Sequence, residues 1–331
     1  MGAIKYGPAP RAGEAWLPRI AAMSASPLPA SPTSASAGPA AAWAGPALAM
    51  GGAVAFSGKA IIVKLAYRHG VDAVTLIMLR MAVALPFFLL MCWWAGRGRA
   101  PLPWRDRGIA AALGFSGYYL SSYLDFLGLQ YITASLERLI LYLTPSVVLL
   151  LGRVLHGKRA SGRQWAAMAL AYFGLVLVFG HELTLVGPRV ALGAGLVVAS
   201  TLSYALYLVY SGEVVQRIGA LRLTGWASAV ASGLCLAQFA LLRPLSSVMD
   251  IAPPVWWLSL LNGTLCTVLP VLMVMLAIAR IGSGKAAQYG MVGPVSTIVL
   301  GVLILGEPFT GWVAAGTLCV LGGVALLARA R

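Results

Sequence analysis

The feature that most constrains this chain is a train of long apolar blocks separated by short polar connections. Each block is close to the ~20 residues that an α-helix needs to cross the hydrocarbon layer of a bilayer. Only 10% of the 331 residues are charged and 60% are apolar, against ~25% charged in a soluble protein. No soluble surface can be built from so little charge. Ten crossings would use roughly 200 residues and leave about 130 for a tail and loops, which matches the spacing of the blocks. The sequence therefore predicts an all-α membrane protein with ten transmembrane helices over 43–66, 72–94, 106–129, 132–153, 163–180, 190–211, 223–242, 256–278, 283–305 and 310–329. Pro and Gly punctuate the connections, as at Pro101-Leu102-Pro103 and Gly187-Pro188. Residues 1–41 are rich in Pro, Ala, Ser and Gly and show no helical apolar period, so they read as a disordered tail. They also lack the charged start and apolar core of a signal peptide.

A net charge of +15 would point to nucleic acid in a soluble protein. Here the bases lie mostly between the apolar blocks, so topology explains them and no nucleic-acid partner is expected. With the N-terminus in the cytoplasm, the inner connections receive Arg97, Arg99, Arg105, Arg107, Arg153, Lys158, Arg159, Arg163, Arg217, Arg222, Arg280 and Lys285. The outer side receives only Lys64, Arg68, Arg189 and Arg243. The positive-inside rule then puts both termini in the cytoplasm. Cys92, Cys235, Cys266 and Cys319 fall inside predicted spans without paired spacing and read as small apolar residues, neither disulfides nor metal ligands.

The chain repeats itself. Gly152…Gly157-Lys158-Arg159-Ala160-Ser161-Gly162 aligns without gaps on Gly301…Gly306-Glu307-Pro308-Phe309-Thr310-Gly311. The same offset of 149 residues places Pro145 on Pro294, Ile132 on Ile281 and Gly174 on Gly323. Two repeats follow, 42–181 and 190–331, each with five helices. An odd number forces the second to insert upside down. Charge agrees: Lys158, Arg159 and Arg163 suit an inner connection, whereas their counterpart carries Glu307 and no base. Inverted repeats are the architecture of secondary transporters, whose site lies near mid-membrane between the halves.

Tyr123-Leu124-Asp125-Phe126-Leu127-Gly128-Leu129-Gln130-Tyr131-Ile132-Thr133-Ala134-Ser135-Leu136-Glu137-Arg138-Leu139-Ile140 resembles the EamA branch of the drug/metabolite transporter (DMT) superfamily. So do Ile62-Val63-Lys64-Leu65-Ala66, Leu79-Arg80 and Gly306-Glu307-Pro308. The likeness covers about 43–329 and departs at Gly157-Lys158, where many relatives carry Gly-Glu. It implies a ten-helix carrier of the plasma (inner) membrane, often an exporter of amino acids or other metabolites.

Ionisable residues within spans are costly, at least ~2.5–3.5 kcal/mol each on insertion scales, and usually face a partner or a wet cavity. Lys59, Arg80 and Arg138 are expected about 9–12 Å below the outer surface and Asp125 and Glu137 about 6–8 Å below it. Together with Lys64 these groups predict a polar vestibule opening outward, lined by helices 1–4, with an excess of positive charge that attracts a carboxylate or another anionic group. Arg138 and Arg80 are its preferred contacts, because guanidinium binds carboxylate bidentately. Lys64 can equally snorkel to the surface, and Arg80 can equally tie to backbone carbonyls or Asp125. Glu137 and Arg138 are ~100° apart on the helix, so one is expected to pair with a neighbouring helix while the other faces the cavity. Tyr119, Gln288 and Tyr289 complete the expected binding surface. Pro145 and Pro294 each remove a helical hydrogen bond in mid-span, as hinges for rocking halves or as static kinks.

Catalytic readings fail. Gly282-Ser283-Gly284-Lys285 lacks the first Gly and the Ser/Thr of a phosphate loop. His69, His156 and His181 are scattered, and no nucleophile and base stand at working spacing. The expectation is therefore a cofactor-free, non-enzymatic secondary carrier for a small-molecule substrate, with the lipid bilayer as its solvent and a homodimer left open. Alternatives are a nucleotide-sugar, sugar-phosphate or drug carrier of the same superfamily, or a non-transporting membrane scaffold.

Overall fold

The structure, a computed structural model, describes residues 39–157 and 161–329. The predicted tail, 1–41, lies almost wholly outside the described residues, as do Lys158 and Arg159. All secondary structure among the described residues is helical. The first four helices are α1 (Pro39–Tyr67), α2 (Ala73–Gly96), α3 (Trp104–Gly114, continuing through a π-helical stretch, Phe115–Leu120, into Ser121–Gly128) and α4 (Ala134–Tyr142 and Thr144–His156). Then come α5 (Gly162–Val186), α6 (Arg189–Ile218), α7 (Ala220–Leu242) and α8 (Pro253–Gly263, a π-helical stretch Thr264–Val268, and Leu269–Tyr289). The last two are α9 (Val292–Leu300 with a π-helical stretch, Gly301–Leu305) and α10 (Gly311–Arg329). Eight of these stretches are long and apolar enough to cross a membrane. The other two are α3, whose first turn carries Arg105, Asp106 and Arg107, and the short apolar α9.

Helix ends follow local chemistry. Thr133 caps α4 by accepting from the Leu136 amide at 3.0 Å. Ser161 and Gln164 form a reciprocal capping box at the start of α5. Gly157 and Gly306 end their helices at φ 63° and 73°, a left-handed conformation that only glycine adopts without strain. Three expected boundaries move. The α5 helix runs to Val186 instead of ending at 180, which brings Glu182 into the span. The α6 helix runs on to Ile218. The helical assignment of α8 continues past Gly282–Lys285 to Tyr289.

The chain nevertheless reverses along that run. Built Cβ atoms on Gly45, Gly52 and Gly58 would meet Ile281, Val274 and Cys266 in turn, so α8 descends antiparallel to α1. By Gly293 the chain has returned to the level of Ala53 and Ser57, whose hydroxyl donates to the Gly293 carbonyl at 2.8 Å.

Several features recur at the 149-residue offset. The π-helical stretches beginning at Phe115 and Thr264 coincide, as do the capping residues Ser161 and Thr310 and the C-terminal glycines Gly157 and Gly306. The α5–α10 crossing is the most telling. A Cβ on Gly174 would stand 2.5 Å from Gly316 O and 2.9 Å from Val320 N. A Cβ on Gly323 would stand 2.6 Å from Ala167 O and 2.7 Å from Ala171 N, the equivalent atoms after exchange. Val178 faces Gly316 while Ala167 faces Gly323, so the two helices run antiparallel. Such close backbone approach through small residues is how helices associate where lipid removes the hydrophobic drive.

Candidate functional site

A cavity of about 460 Å³ lies among the helices. Its walls come from α1 to α4 and also from α6, α7 and α8 through Ser200, Tyr204, Thr224 and Thr267. The four-helix vestibule is thus a seven-helix cavity. The reason is packing: Gly128 lets α6 approach α3 at Val197 and Gly193, and the Ser121 and Ser200 hydroxyls meet at 3.2 Å. The glycines along α1 bring in α8.

Charge is organised in two parts. Lys59 holds both carboxylates, 2.5 Å from Asp125 Oδ2 and 3.1 Å from Glu137 Oε1. All three residues are buried, Glu137 completely. One ammonium between two carboxylates lowers the cost of burial that each ion would carry alone. The two arginines have no such partner: neither forms an ion pair among the described residues. The Arg80 guanidinium lies 4.7 Å over the Phe126 ring, and that of Arg138 lies 5.2 Å over Phe56 with Nη2 3.5 Å from Ser57 Oγ. Both line the cavity, and the Nε of each lacks a hydrogen-bond partner among the described residues. Aromatic faces offset part of the desolvation of these cations; the remainder is available to an anion. Glu137 and Arg138 both meet α1, Glu137 at Lys59 and Arg138 at Phe56 and Ser57, but of the two only Arg138 lines the cavity.

The EamA-like transporter family model matches the chain twice, over residues 43–180 and 191–329. The chain belongs to the EamA-like transporter family. It is 30% identical over 265 residues to the uncharacterized transporter YcbK of Bacillus subtilis, covering 77% of this chain and 83% of that one. It is 27% identical to the uncharacterized protein PA1977 of Pseudomonas aeruginosa, over 84% and 92% of the two chains. A solved crystal structure shares the fold at 18% identity and a TM-score of 0.58, over 86% of this chain and 97% of its own. This EamA protein is accordingly a multi-pass membrane transporter of the DMT type.

Within it, several residues singled out by sequence lie elsewhere than expected. The Lys64 ammonium donates to Ile132 O at 2.6 Å and Leu129 O at 3.3 Å and ties down the α3–α4 turn. Tyr119 stacks on Tyr123 and packs toward the α2 core, outside the cavity. Tyr118 takes the expected place, edge-on to Tyr207, because adjacent positions on a helix point ~100° apart. Tyr289 is exposed at the end of α8 and does not line the cavity, and the Gln288 side chain lies outside the described residues. Pro145 marks a break inside α4, where the Leu141 carbonyl freed by the missing amide accepts from Thr144 Oγ1 at 2.5 Å. Pro294 sits instead in the first turn of α9, where a proline interrupts nothing. The aromatic supports Phe56 and Phe126 carried only a weak signal, an aromatic three or four residues from a basic one or beside Asp125.

Proposed function

We propose that this EamA transporter is a secondary carrier that moves a small metabolite, an organic anion or an amino acid, by alternating access, in the direction of export across the inner membrane. Ten crossings, arranged as repeats 42–181 and 190–331 of opposite orientation, form its frame. The antiparallel, exchangeable contacts of Gly174 and Gly323 support that frame, since a local two-fold perpendicular to membrane helices relates one orientation to the other. The α8 reversal between Ile281 and Gly293 supports the ninth crossing. Both termini then face the cytoplasm.

The observation that carries the substrate reading is the pair of cavity-lining guanidiniums without carboxylate partners, Arg80 and Arg138. They supply the donors that a carboxylate accepts. The Lys59 cluster beside them is already paired and frames the site. Reconstitution in liposomes with labelled amino acids and organic anions, with and without a pH gradient, tests the reading. Saturable uptake of an anionic or zwitterionic cargo is expected, and Arg138→Ala at native abundance lowers the apparent affinity for it roughly 10–100-fold. Full transport by that variant would sink the assignment. Reagents confined to one side should reach the connection at 157–161 and that at 306–310 from opposite compartments; labelling of both from one side would refute the inverted frame.

A further inference from the structure

Contacts at one end of the bundle tie the two halves together through groups that no substrate-binding role uses. We propose that Glu307 is the latch of this transporter, a carboxylate on the α9–α10 connection that holds that end shut and must let go for cargo to pass there. The inference rests on the alternating-access reading. Glu307 accepts from the Ala134 amide at 2.6 Å, the Ser135 amide at 3.2 Å and the Ser135 hydroxyl at 2.7 Å. It thereby binds the second half of the chain to the first turn of α4, one turn from the cavity-lining Arg138. The α4 helix presents unpaired amides and the positive end of its dipole at that point, which suits a carboxylate. Gly301 makes the room: a Cβ there would stand 2.7 Å from Glu307 Oε2. Two further contacts close the same end, Arg68 Nη2 donating to Leu305 O at 2.8 Å and Glu182 accepting from Thr133.

The sequence makes the latch one-sided. At the 149-residue offset the position of Glu307 is held by Lys158, and an ammonium has no lone pair with which to accept an amide. On this reading a repeat-related frame with an acceptor in one connection and a donor in the other favours closure at the Glu307 end.

Cysteine accessibility tests this without any cargo. In a background lacking the four native cysteines, Ser122→Cys reports on the cavity and Met249→Cys, 90% exposed, marks one face. Arg243, which precedes that segment, pairs with Asp72 at 3.2 Å, so the marked face is the Glu307 end. Labelling of Ser122→Cys by an impermeant maleimide from the marked face is expected to be slow in the parent. Glu307→Gln, which removes the charge, and Gly301→Ala, which displaces the carboxylate, should each raise it at least about tenfold, the worth of a charge-assisted hydrogen bond. Labelling from the opposite face should fall. Unchanged labelling from the marked face in both variants overturns the latch, and so does an equal rise from both faces, which signals general loosening. If anion transport were refuted while the marked-face labelling still rose, the substrate reading would fail and the latch would stand.

Discussion

The two halves share backbone features at a constant offset but not their charges. The positions matching Asp125, Glu137 and Arg138 are Val274, Ala286 and Ala287, and Val274 lines the same cavity that Asp125 lines. Capping residues, left-handed glycines, π-helical stretches and the Gly174/Gly323 crossing recur in both halves. What repeats is what a helix needs to start, stop and pack in lipid. What does not repeat is the in-span charge, which the proposed binding site would place on one wall and not on both. Symmetry belongs to the scaffold and asymmetry to the chemistry, and substitutions at matched and unmatched positions should behave differently.

The largest effect belongs to the unmatched ion cluster. Lys59→Met leaves Asp125 and Glu137 facing each other, buried and without a cation, and should cost about 3–5 kcal/mol of stability. It is read as lost thermal stability in detergent. Combining Lys59→Met with Asp125→Asn and Glu137→Gln removes every charge together and should restore most of that loss. A single and a triple variant of equal stability would show that the cluster is not an ion triad. Next comes the unpaired cation. Arg138→Ala removes no ion pair, so the protein should keep its abundance while the apparent affinity for an anionic cargo falls roughly 10–100-fold, the worth of a charge-assisted contact. Liposome uptake over a range of cargo concentrations measures it. A stability loss as large as that of Lys59→Met would place Arg138 in the scaffold instead.

The matched positions sharpen the comparison from the other side. Gly174→Ala and Gly323→Ala each push a methyl group into the backbone of the partner helix, and overpacking of this kind costs about 1–3 kcal/mol. Since the opposed atoms are equivalent, the two losses should agree closely, and thermal unfolding of the pair would expose any inequality. Transport per folded molecule should stay at the parental level in both.

The same division explains what the sequence disclosed. An all-helical membrane chain, and the order and rough limits of its long apolar helices, were legible because hydropathy measures length against bilayer thickness. The repeat was legible because glycines at caps and crossings tolerate no substitute. In-span charges were legible because they are costly, which singled out Lys59, Arg80, Asp125, Glu137 and Arg138. Which charges pair was not, since Lys59 reaches Asp125 across 66 positions and Glu137 only through tertiary packing. Tyr118 was exchanged for Tyr119 because helix rotation within a π-helical stretch leaves no mark in hydropathy. Glu182 escaped because α5 outlasts its apolar block, and Thr133 satisfies its carboxylate there.

The smallest effect tests a place where the halves differ in capping. At the start of α2, Asp72 accepts from the Val74 amide at 2.8 Å and the Thr75 amide at 3.1 Å, whereas α7 begins at Gly219 with no side-chain cap. Burial alone would raise the Asp72 carboxyl, but the Thr75 amide and hydroxyl, Arg243 and the Val74 amide together hold it below the ordinary carboxylate range. A depressed carboxyl adds stability that is present above its unfolded-state value and is lost as pH falls through its folded-state value. Asp72→Ala should therefore cost about 1 kcal/mol at neutral pH, and the difference from the parent should shrink on acidification, read as converging unfolding temperatures. Asp72→Asn, itself a good cap, should lose less and show a flatter acid limb. The cap cannot be transplanted to the second half: Gly219 sits at φ 87°, a conformation that strains an aspartate, so Gly219→Asp should stabilise nothing. A gain from that substitution would mean that α7 can adopt the start that α2 has, and that the difference between the two helix starts is one of sequence alone.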